Sequence, residues 1–294
     1  MSSATLTKIN NYLSLIKISH TIFALPFAII GFFIATTYTH AAFNLSLFAL
    51  VILCMVFARS AAMAFNRYID RAFDAKNNRT AVREIPAGVI KPSNALVFVI
   101  VSSLLFVITT YFINPLCFFL SPVALIVVLG YSYTKRFTAL CHLILGIGLS
   151  LAPIGAYLAV TGRFDWLPLF FSFTVLFWVS GFDIIYALQD EEFDKSQQLH
   201  SIPAALGKTK ALRVSELLHL LSAACVIAAG KYGHFGLWYW CGVGVFIAML
   251  GFQHSIVKPN DLSKVNLAFM TTNGIASVVF AVFVLLDIFL HSTF

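Results

Sequence analysis

Apolar stretches close to twenty residues long recur along the whole chain, separated by short polar segments. At 1.5 Å rise per residue, a helical stretch of that length crosses a hydrocarbon core of about 30 Å. The pattern predicts about nine membrane-spanning helices, near 20–38, 42–66, 95–113, 115–133, 139–160, 166–189, 211–230, 235–256 and 266–290. The expected fold class is all-α, a polytopic membrane helix bundle over 1–294 as a single membrane-embedded domain. The first stretch is read as a span and not as a cleaved leader: its apolar run is too long, it holds Pro26 and Gly31, and no clean cleavage site follows.

The polar segments alternate in charge. Lys8, Lys17, Arg67, Arg71, Lys76, Arg79, Arg83, Lys91, Lys135, Arg136, Lys195, Lys208, Lys210, Lys258 and Lys264 fall before the first span or after the even-numbered ones, whereas the opposite loops hold only Arg163 and Lys231. This asymmetry predicts a cytoplasmic N-terminus, cytoplasmic long loops and a C-terminus on the other side, in a bacterial inner membrane.

Composition sharpens the class. Of 294 residues, 60% are hydrophobic and only 11% charged, with 30 Phe, against about a quarter charged in a soluble domain. A soluble globule, a disordered chain and a disulfide scaffold are excluded. Cys54, Cys117, Cys141, Cys225 and Cys241 lie in apolar stretches without metal or disulfide spacing and read as small hydrophobes. The net charge of +7 follows from the basic loops and calls for no nucleic-acid partner. His20, His142, His200, His219 and His254 have no ligand spacing and read as ordinary helix residues.

The chemistry gathers after the second and sixth spans. Asn66, Asp70 and Asp74 are four apart, so they share one helical face. Asp183, Asp190 and Asp194, spaced seven and four, share another. Each acidic motif is followed by Ile-Pro-Ala (85–87 and 202–204), and Asp70 and Asp190 stand 120 residues apart. That offset suggests an internal repeat, 1–134 and 135–257, giving two four-helix halves plus a ninth helix at 266–290. Four carboxylates at helix C-termini oppose the macrodipole and repel one another. A divalent cation relieves both problems, and Mg²⁺ suits few carboxylates plus substrate phosphates. The competing reading pairs the acids with Arg67, Arg71 and Lys195. Arg71, Arg79 and Arg83, with Tyr131, Ser132, Tyr133, Lys135 and Arg136 on the same side, suit a polyanion such as a diphosphate. Deeper lie Arg59 and Asp183, either functional groups or a structural pair.

The stretch NRYIDRAFDAKNNRTAVREIPAG (66–88) resembles the first signature of the UbiA-type integral-membrane aromatic prenyltransferases, and FDIIYALQDEEFD (182–194) resembles their second aspartate motif. HTIFALPFAIIG (20–31) and YSYTKR (131–136) are also similar to that family, with Asn77 a departure where an apolar residue is usual. The 4-hydroxybenzoate polyprenyltransferase branch is the nearest in flavour, on Asp183 and Tyr186. The resemblance implies transfer of a polyprenyl group from its diphosphate to a small aromatic acid in respiratory quinone biosynthesis. It implies Mg²⁺ on Asn66, Asp70, Asp74, Asp190 and Asp194. Arg71, Lys135 and Arg136 would contact the phosphates, with Arg59 and Tyr131 also lining the substrate site. Catalytic roles are expected for Asp70, Asp190 and, as orienting group or base toward the acceptor, Asp183. The partners implied are the diphosphate, the acceptor and membrane lipid, with no obligatory protein partner. The alternatives are a bicyclic naphthol or naphthoate acceptor and, from different classes, an ion-coupled transporter or a CDP-alcohol phospholipid synthase. The synthase's D-G-x-x-A-R core is absent, and transporter sites usually sit near the midplane on broken helices.

Overall fold

The computed structural model describes residues 3–290, which form helices and connecting turns. The side chain of Lys8, counted above among the cytoplasmic charges, lies outside the described residues. An N-terminal helix α1 (Ser3–Leu15) leads through a 3-10 turn (Ile18–Phe23) into α2 (Leu25–Tyr38). Then follow α3 (Leu45–Asp74), α4 (Pro92–Tyr111), α5 (Pro115–Thr134), α6 (Cys141–Thr161) and α7 (Trp166–Ala187). A 3-10 turn (Leu188–Asp190) joins α7 to the short α8 (Glu191–Ser196). The chain closes with α9 (Ile202–Tyr232), α10 (Leu237–Ile256), a π-helical turn (Leu267–Thr272) and α11 (Asn273–Leu290).

Local sequence sets these boundaries. Pro26, Pro92, Pro115 and Pro203 open helices, where a missing N–H costs nothing. Asn44, Asn114, Asp165 and Ser201 cap helix N-termini through their side chains. Gly162, at φ +64°, ends α6 in the left-handed region that a Cβ disfavours.

Among the described residues, eight helical segments are long and apolar enough to cross a membrane, so this is an integral membrane protein. Three boundaries depart from expectation. The expected first span holds only the 14-residue α2, about 21 Å long, because the 3-10 turn interrupts the run. The second span does not stop near 66 but continues unbroken to Asp74. The seventh begins at Ile202, with Gly207 (φ 77°, ψ 164°) as a non-helical joint.

The core is unevenly distributed. Phe27, Phe171, Trp178, Tyr239, Phe246 and Phe280 are fully buried where α2, α7, α10 and α11 meet. Their polar atoms are satisfied: Trp178 Nε1 donates to Asn273 Oδ1 at 2.8 Å, and Tyr239 Oη donates to the Val226 carbonyl at 2.7 Å. The N-terminus of α10 has no cap of its own. Asp287 of α11 supplies one, accepting from Gly236 N (2.7 Å) and Tyr239 N (3.2 Å). Along the most apolar stretches, 61% of the α7 segment is buried against 22% for α3 and 11% for α5. Thus α7 is an interior pillar, and α3 and α5 are outer walls.

Candidate active site

Between pillar and walls lies a cavity of about 620 Å³. Its deep part is apolar, lined among others by Met55, Phe106, Ile113, Leu120 and Leu149. Its other end is charged, because α3 runs on past its apolar stretch and carries Asn66, Asp70 and Asp74 along one face into the cavity.

Asp70, Asp74 and Asp190 at this end, and Asp194 beside it, each meet a base. Arg136 Nη2 donates to Asp70 Oδ1 at 3.1 Å and to the Ile69 carbonyl at 3.0 Å, while Asn66 Nδ2 donates to Asp70 Oδ2 at 3.0 Å. Arg83 pairs with Asp74 at 2.6 Å. Arg79 grips Asp190 with two nitrogens, Nε at 3.1 Å and Nη2, and its Nη1 donates to Tyr186 Oη at 2.9 Å. Lys135 pairs with Asp194 at 2.7 Å. The four pairs form a circuit. Arg136 and Lys135 join α3 to α8, and Arg79 and Arg83, in the loop after α3, join the second motif back to the first. Burial works against the charge of Arg79 and of Lys135, yet Asp190 and Asp194 outweigh it and raise both pKa values. Both bases stay charged.

The site residues expected from the sequence separate into two groups. Asn66, Asp70, Asp74, Asp183, Asp190, Arg59, Tyr131, Lys135 and Arg136 all line the cavity. Arg71 and Asp194 do not. Arg71 lies over the Tyr68 ring (4.6 Å) and donates to the Tyr68 carbonyl at 2.6 Å, which holds it off the face bearing Asp70. Asp194, expected with the metal ligands, is fully buried, one oxygen held by Lys135 and the other accepting from Ser201 at 2.8 Å. The bases expected to neutralise the acids also differ: Lys195 pairs with Glu191, and Arg67 takes part in no ion pair among the described residues.

The deep pair is different as well. Asp183 is partnered by His142 (Nδ1 to Oδ2, 2.7 Å) and not by Arg59, which donates to the Lys17 carbonyl at 3.3 Å. His142, read from sequence as an ordinary helix residue, lines the cavity. So does Asn77, which donates to Asp190 at 3.1 Å and accepts the Arg79 N–H at 2.9 Å. Arg79 and Arg83, four apart in the loop, and Arg67, adjacent to Asn66, stand in positions that spacing marks. Nothing in the sequence signals that His142 reaches Asp183 across 41 residues.

As they stand, no three acidic, histidine or cysteine side chains among the described residues are gathered to hold a metal ion. The donor set nevertheless suits Mg²⁺. It consists of carboxylate oxygens and one amide oxygen, and Asp74 Oδ2 is buried without a hydrogen-bond partner. Mg²⁺ takes one or two carboxylates and completes its shell with water and substrate phosphates, so it needs no all-protein cage.

Known proteins are similar to this chain in sequence and architecture. The model of the UbiA prenyltransferase family matches residues 24–275. A 4-hydroxybenzoate octaprenyltransferase of Nitrosospira multiformis is 29% identical over 242 residues, 82% of this chain and 83% of its own. One of Nitrosomonas europaea is 30% identical over 230 residues, 78% of each. The apo structure of a UbiA homolog from Aeropyrum pernix K1 superimposes with a TM-score of 0.78 at 28% identity, covering 92% of this chain and 98% of that one. A UbiA homolog from Archaeoglobus fulgidus, solved bound to DMAPP and Mg²⁺, gives 0.76 at 22% identity, covering 95% and 99%.

Proposed function

The chain belongs to the UbiA prenyltransferase family, and from that footing we propose that it transfers a polyprenyl group from polyprenyl diphosphate to an aromatic acid of the 4-hydroxybenzoate kind, in respiratory quinone biosynthesis. The observation that carries the choice of acceptor is a pair of guanidinium groups inside the cavity, that of Arg67 on a buried residue and that of Arg59 on a half-buried one. Arg59 and Arg67 line the cavity, and neither has a carboxylate partner among the described residues. Each leaves its Nε buried and unbonded. A buried cation without a counter-ion is costly, and an anionic substrate removes the cost. Arg59 lies two helical turns inside Asn66, as Asp183 lies two turns inside Asp190. An acceptor lying between them would present its carboxylate to Arg59 and its ring edge to Asp183. The names of the relatives, 4-hydroxybenzoate octaprenyltransferases, support the same choice.

Asn66, Asp70, Asp74 and Asp190 would hold Mg²⁺, which when bound neutralises the diphosphate and favours its departure. Arg79, Arg83, Lys135 and Arg136 stand at the charged end and offer phosphate oxygens donors that stabilise the leaving charge. The allylic C–O bond breaks and its electron pair stays with the diphosphate. A ring carbon of the acceptor supplies the pair for the new C–C bond. The ring then regains its aromaticity by losing a proton to Asp183. The apolar walls keep water from the allylic cation, and they give the prenyl tail a path continuous with lipid. The charged end of the cavity would face the cytoplasm, with the N-terminus on that side and the C-terminus on the other, in a bacterial inner membrane.

The test is a competition. Purified full-length protein is given a polyprenyl diphosphate, Mg²⁺ and equal amounts of 4-hydroxybenzoate and a dihydroxynaphthoate, and products are weighed by mass spectrometry. Prenylated 4-hydroxybenzoate is the expected product. Prenylated naphthoate alone would overturn the choice of acceptor, and no prenylated product with either would overturn the acid-acceptor reading.

A further inference from the structure

Four carboxylates line the cavity among the described residues, and three of them are matched to an arginine: Asp70 to Arg136, Asp74 to Arg83 and Asp190 to Arg79. Asp183 alone is matched to a histidine. The imidazole of His142 is 3% exposed and sits in the first turn of α6, so its two nitrogens have fixed company. Nδ1 is 2.7 Å from Asp183 Oδ2, and Nε2 is 3.3 Å from the backbone nitrogen of Ile202, the first residue of α9. A backbone N–H can only donate, so Nε2 is the nitrogen with the free lone pair. The proton is therefore on Nδ1, which donates to Asp183. The partner of one ring nitrogen decides what the other does, and here the ring is a neutral donor.

We propose that His142 is the positioning residue of Asp183: it turns the carboxylate toward the acceptor through a neutral N–H, leaving Oδ1 free to take the ring proton. An arginine there would also hold the carboxylate, but a fixed cation would make it a weaker base. The backbone on both sides of this contact is braced. Ser180 Oγ of α7 donates to the His142 carbonyl at 3.2 Å. Ile202 follows Ser201, which caps α9 through the Ala204 N–H (3.3 Å) and donates to Asp194. The His200 N–H donates to the Lys135 carbonyl at 2.7 Å. The segment after the second acidic motif thus sets the tautomer of the group that orients Asp183. This inference rests on the reading of Asp183 as the proton acceptor.

Two near-isosteric substitutions split the two bonds. In His142→Asn the amide N–H can occupy the place of Nδ1 and donate to Asp183, while the contact to Ile202 is lost. In His142→Gln the amide can reach the place of Nε2 and accept from Ile202, while the donor to Asp183 is lost. Steady-state kcat, the KM for polyprenyl diphosphate and the melting temperature are measured for both in the full-length protein, with Asp183→Asn alongside. His142→Asn is expected to keep kcat within about threefold. His142→Gln is expected to lose about 10- to 100-fold in kcat with the diphosphate KM within twofold, the loss ordinary for a misplaced catalytic group. The reverse order, or equal losses that follow the melting temperature, would overturn the proposal and leave His142 a bracket for α9. If Asp183→Asn turns over at the wild-type rate, the reading of Asp183 falls instead, and the proposal falls with it. If Asp183→Asn is inactive while both histidine variants are normal, only the role of His142 falls.

Discussion

Two helices carry the acids, and they present them differently. On α3 the helix runs unbroken to Asp74, so Asn66, Asp70 and Asp74 stay in register on one face and all line the cavity. On α7 the helix stops at Ala187, a 3-10 turn carries Leu188–Asp190, and α8 starts anew. A 3-10 turn has 3.0 residues per turn against 3.6, so the face defined by Asp183 does not continue to Asp194. Asp190 still enters the cavity, whereas Asp194 turns to Lys135 and Ser201. The helix that stays straight is an outer wall, and the one that breaks is the buried pillar. Motifs matched in spacing are therefore presented unequally: one turns Asn66, Asp70 and Asp74 into the cavity, the other turns Asp190 into it and Asp194 away.

The hardest test of that contrast is removal of divalent cations. With EDTA, turnover of the purified protein should vanish and return on adding Mg²⁺. Undiminished turnover would mean that the acids on both helices serve only to pair with bases. Next, Asp70→Asn and Asp190→Asn should each lower kcat/KM by about 10²- to 10³-fold, the usual loss when charge stabilisation at a leaving group is removed.

Asp194→Asn should separate from Asp190→Asn. It leaves Lys135 without its partner beside a buried site, a loss of about 3 kcal/mol in stability, at the low end for such pairs because Lys135 is 34% exposed. A clear drop in melting temperature with a smaller loss of kcat is expected. A stable variant as inactive as Asp190→Asn would return Asp194 to the metal set and erase the contrast. The smallest effects separate two arginines. Arg136→Ala should raise the diphosphate KM about tenfold, the worth of one charged hydrogen bond. Arg71→Ala, parked on Tyr68, should change it less than twofold, as measured by initial rates over a range of diphosphate.

Much of this was legible in the residues. Asn66, Asp70 and Asp74 converge because helical periodicity alone puts them on one face. Arg59, Tyr131, Lys135 and Arg136 fall where their depth in or beyond an apolar run suggested. Arg71 adjoins Asp70 in sequence yet turns to Tyr68, because neighbours on a helix differ by about 100°. Asp194 leaves the face of Asp183 because the helix breaks at Leu188, a break that its spacing does not show. His142 was passed over because a lone histidine carries no spacing signal.

The sequence by itself determined that the chain crosses a membrane, where its ionisable groups gather and which family it belongs to. Those follow from the cost of placing polar groups in hydrocarbon and from the few residue types that meet a diphosphate. Only the tertiary structure decided which base holds which acid, which aspartates face the cavity, and that Asp183 meets an imidazole while Arg59 and Arg67 form an ion pair with no acid among the described residues. Such pairings depend on side-chain directions at helix ends and on contacts across many tens of residues, as between Arg79 and Asp190, and no local pattern records them.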